Sequence, residues 1–226
     1  MGDLYQSLIY QPILSVLVAI YQTASFGDLG VAIILLTILV RVVLLPIFYR
    51  GAKNQSLLQR LQPHVKKIQM DHQDNREAQA KALMELYRTH HVSPFSGFLF
   101  IILQLPVFIA LFQIFTRELG SVAFDNHTFL GLVDLEAKGL MLPLIAGALQ
   151  YFQGKLSLPP PSADGAVGPS PAAMGKVMNV VGPIISIVVL VNLPSALGIY
   201  WIVSALFSIG QQIYINRHLP KLEPAH

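Results

Sequence analysis

One charge inside one long apolar run constrains the rest of this chain. The stretch Leu29 to Tyr49, LGVAIILLTILVRVVLLPIFY, carries no ionisable side chain inside it except Arg41. At about 1.5 Å per residue a helix of this length measures ~31 Å, close to the hydrocarbon thickness of a bilayer, so the stretch reads as a membrane span. Arg41 would then lie about 18 Å from one end and about 12 Å from the other, too deep for easy snorkelling. A guanidinium at that depth carries an insertion penalty of about 2.5–3.5 kcal/mol unless it faces protein or water. None of the other apolar spans contains an Asp or Glu to pair with it. Arg41 is therefore expected to face a polar, water-accessible cavity rather than a structural ion pair.

Composition agrees with a polytopic membrane protein: 54% of the 226 residues are hydrophobic and only 12% charged. The absence of cysteine rules out disulfides, thiolate metal sites, thiol nucleophiles and cysteine lipidation. The net charge of +3 becomes informative only when the charges are placed along the chain.

Residues 1–28 contain, at 3–23, DLYQSLIYQPILSVLVAIYQT, in which tyrosines, glutamines and Pro12 interrupt the apolar run. It reads as an interfacial helix and turn with tyrosines at headgroup level; an extra span or signal anchor is the alternative. The first transmembrane helix is assigned to 29–49. Residues 50–94 then carry Arg50, Lys53, Arg60, Lys66, Lys67, Arg76, Lys81 and Arg88, eight of the chain's 15 basic residues, which places them in the cytoplasm. Their apolar residues recur at helical spacing around a turn at His72 to Asn75, which predicts a helical hairpin kinked at Pro63. A second transmembrane helix is assigned to 95–116, an acidic outer loop to 117–138 and a third, shorter helix to 139–156. The Pro-, Ala-, Gly- and Ser-rich 157–175 reads as a flexible cytoplasmic linker. The fourth and fifth transmembrane helices occupy 176–193 and 194–215, and 216–226 form a short cytoplasmic tail. The fold class expected is an all-α polytopic membrane protein with five transmembrane helices, amino terminus out and carboxyl terminus in.

On the fifth helix Trp201, Ser204, Ser208, Gln211 and Gln212 fall within a sector of about 100°. Such a stripe is unfavourable against lipid and is expected to line a protein or water-filled surface; hydroxyls bonding their own helix carbonyls are the alternative. Gln150 and Gln153, three apart, share one face of the third helix. No catalytic or metal-ligating set emerges: the sequence has no HExxH, no glycine-flanked serine and no carboxylate pair within a span, and His90 and His91 point to different sides of a helix. No enzyme activity or cofactor is expected. Four acids interleave the hairpin's eight bases, which argues for a solvated face and against nucleic-acid recognition.

Taken together, LTILVRVVLLP at Leu36 to Pro46, NQSLLQRLQPHVKKIQ at Asn54 to Gln69, ELYRTHHVSP at Glu85 to Pro94, QLPVFIALF at Gln104 to Phe112 and LPSALGIYWIVSALFSIGQQ at Leu193 to Gln212 resemble the YidC/Oxa/Alb family of membrane protein insertases. The sequence departs from many relatives at Ser93, where they have Asn, and at Phe98 to Phe100, where they have Cys-Leu-Pro. The resemblance is to a short bacterial form without a large extracytoplasmic domain. It implies that the five spans enclose a hydrophilic groove open to the cytoplasm and sideways to lipid. It also implies that Arg41 and Trp201, with Gln104 and one of Gln150 or Gln153, belong to a substrate-binding groove; Ser204, Ser208 and Gln211 join them from periodicity alone. The implied partners are nascent membrane proteins and the lipid bilayer, with the ribosome and a Sec-type translocon as further candidates, and the implied location is the bacterial inner membrane. A small-anion transporter using Arg41 as its substrate site is the rival reading. It predicts access from both faces and often internal repeats, of which the sequence has none.

Overall fold

The computed structural model describes residues 2–93, 96–118, 124–157 and 171–219, with side chains described from 4, 104 and 177 onward in the first, second and fourth of these stretches. Helix dominates. Helical segments at Gly2–Tyr5 (α1), Gln6–Tyr10 (π-helical) and Gln11–Thr23 (α2) lead to α3, Leu29–Val43, and α4, Leu45–Arg60. Then come α5, Gln62–Asp71, α6, Arg76–Thr89, and α7, Ser96–Arg117. After a small β-hairpin follow α8, Met141–Ser157, α9, Pro171–Leu190, and α10, Ser195–His218.

The first span departs from the continuous helix expected over 29–49. It breaks at Leu44, and α3 and α4 meet at a 69° bend. Pro46 supplies the reason, because its ring clashes with the carbonyl four residues back and it has no N–H to continue the ladder. Leu44 still donates to Val40 at 3.0 Å, and Phe48 restarts the pattern onto Leu44 at 3.0 Å. The break moves Arg41 from mid-helix to the last turn of α3, where the helix dipole and unsatisfied carbonyls favour a cation.

Past the bend, α4 runs without interruption from apolar to polar sequence, so the expected boundary at residue 50 does not exist as a structural break. Leu61 separates α4 from α5, with Pro63 near the start of α5. The turn at His72 to Asn75 forms as expected, and Asn75 caps α6 by accepting from Ala78 N–H at 3.0 Å. The foot of the hairpin is fixed: Asn54 and Ser93 exchange side-chain to backbone bonds of 2.7 and 2.9 Å. Gln212 donates to Ser56 at 2.8 Å, and Arg60 donates to the Asn216 and Leu219 carbonyls at the end of α10.

The opposite end is covered. Strands β1, Thr128–Phe129, and β2, Val133–Asp134, pair antiparallel within the outer loop expected over 117–138. Asn126 N–H donates to the Tyr21 hydroxyl at 2.9 Å, and Phe124 packs edge-on against Tyr21. Asp28 caps α3 through Val31 N–H at 2.9 Å and accepts from Leu130 N–H at 2.6 Å. Ala196 and Ser195 N–H donate to the Leu135 and Ala137 carbonyls. The segment 124–137 therefore lies across the ends of α2, α3 and α10, with Phe124 and Leu135 buried beneath it. Below it the core packs Leu17, Ile33, Leu36, Leu111, Ile114 and Leu197 from four helices.

Much of the outward surface is as apolar as this core. Leu39, Val42 and Val43 on α3, Ile184, Ile185 and Val188 on α9 and Leu206 on α10 are all exposed, a surface suited to lipid. Among the described residues only Ser195–His218 is a single helix long and apolar enough to cross a bilayer. Leu29–Val43 and Leu45–Arg60 meet that test only together, while Gln104–Arg117 and Val177–Leu190 are shorter apolar helices. The arrangement is that of an all-α membrane protein. Of the linker expected at 157–175, residues 158–170 lie outside the described residues, and α9 already begins at Pro171; of the tail, 220–226 lie outside them and α10 extends to His218.

Candidate functional site

A cavity of about 810 Å³ opens between α3, α4, α7, α8 and α10. All eight residues singled out in the sequence line it. Arg41 enters from the end of α3, Gln104 from α7, and Gln150 and Gln153 from α8. Trp201, Ser204, Ser208 and Gln211 form a strip along α10. The periodicity behind that strip is physical: positions three and four apart superpose on one helical face.

The bend at Leu44 brings Phe48 of α4 back against Arg41, whose guanidinium carbon stands 5.0 Å from the ring centroid. This cation–π contact is worth about 0.5–2 kcal/mol and is not itself a counterion. Among the described residues Arg41 has no ion pair and no hydrogen bond, and no carboxylate lines the cavity. Gln104 donates to the hydroxyl of Tyr200, which joins α7 to α10 across the floor. Trp201 meets Phe108 edge-on at 5.7 Å, giving the wall an aromatic rim. Oε1 of Gln150 is buried with no hydrogen-bond partner among the described residues.

Sequence reasoning missed Tyr200, Phe48 and Gln55, which also line the cavity, and noted Gln212 without placing it in the site. Tyr200 carries no sequence signal separating it from a core tyrosine. Gln55 lies in a region assigned to the cytoplasm, and only the continuity of α4 through residue 50 brings it to the cavity mouth. Among the described residues no group of three His, Cys, Asp or Glu side chains is placed to hold a metal ion.

A lone, incompletely hydrated cation beside neutral amides and hydroxyls attracts anionic groups without discriminating finely among them. An open cavity of this size admits a polypeptide segment as readily as a small ion.

Comparison with known proteins places this geometry. The family model described as 60Kd inner membrane protein matches residues 6–222. The chain is 33% identical over 204 residues to a Geobacter sulfurreducens protein named Membrane protein insertase YidC, covering 87% of this chain and 35% of that protein. Proteins of the same name from Nitratidesulfovibrio vulgaris and Lawsonia intracellularis are 35% identical over 217 residues and 34% over 222. Those alignments cover 92% and 93% of this chain but 38% and 39% of the relatives. The chain thus spans somewhat over a third of the length of the curated relatives it matches. With a family model matching it from residue 6 to residue 222, the chain belongs to the 60Kd inner membrane protein family, that of the insertases named YidC.

Proposed function

We propose that this protein is a membrane protein insertase of the bacterial inner membrane. It receives nascent membrane proteins in the Arg41 cavity and releases their apolar helices sideways into lipid. In this reading α3 with the start of α4, α7, α8, α9 and α10 are five spans, some of them short, around a groove open to the cytoplasm, with the amino terminus outside and the carboxyl terminus inside. Short spans suit a locally thinned bilayer. The segment 124–137 closes the outer side.

The observation that carries the proposal is a guanidinium that has no counterion among the described residues, in a cavity to whose wall those residues bring no carboxylate, below a covered end. A groove reaching partway into the bilayer shortens the apolar barrier that a polar segment must cross. Arg41, poorly screened there, draws an acidic flanking segment inward. The substrate's apolar helix meanwhile moves against the exposed faces of the spans into lipid, and its burial supplies about 25 cal/mol per Å² of driving force. No step requires a nucleotide or cofactor. The cytoplasmic hairpin, pinned at its foot by Ser56, Arg60 and Asn54, is the element we assign to substrate recruitment; a ribosome or Sec-type translocon would meet the protein on that side.

Reconstitution tests this reading. The purified protein in liposomes, with a small single-span substrate and no other protein, is expected to raise integration well above that in protein-free liposomes without added nucleotide. Integration at the protein-free rate, together with Arg41-dependent uptake of a small anion, would replace the insertase reading by the transporter.

A further inference from the structure

One side chain recurs around the cavity wall. Gln55, Gln104, Gln150, Gln153, Gln211 and Gln212 come from four different helices, in the company of one cation. Two of them are engaged within the protein: Gln104 with Tyr200, and Gln212 with Ser56 and Asn216. The other four make no side-chain hydrogen bond among the described residues, and Oε1 of Gln150 is buried without a partner. Gln150 and Gln153 also face a second cavity of about 280 Å³, where Gln59 and Asn179 join them. The carboxamide lining therefore continues from α10 past α8 to α9.

A carboxamide reproduces the peptide group: it has two N–H donors and a carbonyl acceptor, and it is neutral. It is matched to the one feature all polypeptides share. A segment leaving bulk water in extended form brings an unpaired N–H and C=O at every residue, and each needs a partner. A helix satisfies these groups internally and gains little from such a wall. Charged walls select side chains; glutamines at the ends of flexible stems bond to whichever main-chain groups are presented.

We infer that Gln55, Gln150, Gln153 and Gln211 bind the main chain of an extended polypeptide segment irrespective of its side chains, while Arg41 alone reads charge. This rests on the insertase reading and specifies how the cavity holds the polar segment: through its main chain and not through its side chains. Main-chain recognition accounts for polar side chains in that wall that are, Arg41 apart, all uncharged.

The test uses a synthetic single-span substrate with a neutral translocated segment in two forms, one all-amide and one with alternate amides of that segment replaced by esters, which lack the N–H donor. Integration into phosphatidylethanolamine/phosphatidylglycerol vesicles is measured with and without the reconstituted protein, and the ratio is the protein's acceleration. Acceleration of the all-amide form is expected to exceed that of the ester form by at least about fivefold, the factor that corresponds to one net hydrogen bond. The double variant Gln150→Met/Gln153→Met is expected to lose acceleration of all-amide substrates by the same factor for neutral and acidic segments, and to lose distinctly less on the ester form, which has fewer donors to offer those glutamines. Equal acceleration of both forms by the unsubstituted protein overturns the inference without recourse to a variant, as does a loss in the double variant that falls equally on both. Failure to accelerate either form is a different result: it overturns the insertase reading, and this inference with it.

Discussion

Replacing Arg41 by alanine is expected to reduce insertion of a substrate with an acidic translocated segment by about thirtyfold, and of a matched neutral one by no more than about twofold. The figure follows from Coulomb's law: at an effective dielectric constant of about 20, unit charges about 8 Å apart attract by about 2 kcal/mol, and each 1.4 kcal/mol is a factor of ten. Among the described residues no carboxylate lines the cavity to compete for the charge. The same feature makes the variant safe to build. Truncation removes the contact with Phe48, worth about 1 kcal/mol, but also relieves the desolvation of a half-buried cation that has no ion pair among the described residues. Arg41→Lys keeps the charge and loses the planar stacking, so it should retain most of the preference for acidic segments. Equal losses on acidic and neutral substrates in a paired insertion assay would remove the electrostatic role.

The second large effect is expected at the end covered by the segment 124–137, from a change of one methyl group. A Cβ at Gly30 would fall inside the space of Phe129, whose own Cβ and ring carbons occupy it. Because the Phe129 Cβ is among the obstructing atoms, rotating the ring cannot relieve the overlap, and the β-hairpin must lift from α3. Gly30→Ala should therefore destabilise the protein by about 2 kcal/mol, in the range of overpacked cores, and lower its melting temperature in detergent by about 5 °C. Lifting the hairpin also strains the bond from Leu130 N–H to Asp28, loosening the cover. Gly210→Ala is the control: a Cβ there meets nothing within 4 Å, and on a helix alanine is favoured over glycine. Equal melting temperatures for the two variants would show that the hairpin is not seated as described.

What the sequence disclosed depended on periodicity. The α10 stripe and the paired glutamines of α8 follow from the 3.6-residue repeat, and the turn at His72 to Asn75 from the turn-forming HQDN between two helical patterns. The break at Leu44 did not follow, because hydropathy counts length and gives no weight to Pro46, while prolines inside membrane helices are often accommodated by their surroundings. That one omission misplaced Arg41 at mid-helix and hid Phe48, which the bend brings against it, while Gln55 was hidden by the boundary expected at residue 50, through which α4 continues. The outer β-hairpin escaped for another reason: strands of two residues have no alternation to detect, and their position is set by Asp28, Tyr21 and the start of α10. Tyr200 lines the cavity and accepts from Gln104, 96 positions away in sequence, a pairing no local pattern signals.

The decisive question is which side of the membrane reaches the water around Arg41. The chain has no cysteine, so single cysteines can be introduced without removing any. Ser208→Cys faces the cavity, and Leu206→Cys, two residues away, is exposed on the apolar exterior. With an impermeant thiol reagent applied to oriented membrane vesicles, Cys at 208 should react from the cytoplasmic side and be protected from the outer side, while Cys at 206 should react from neither. Modification at 208 from the outer side, or none from either, would contradict a wet, inward-facing cavity.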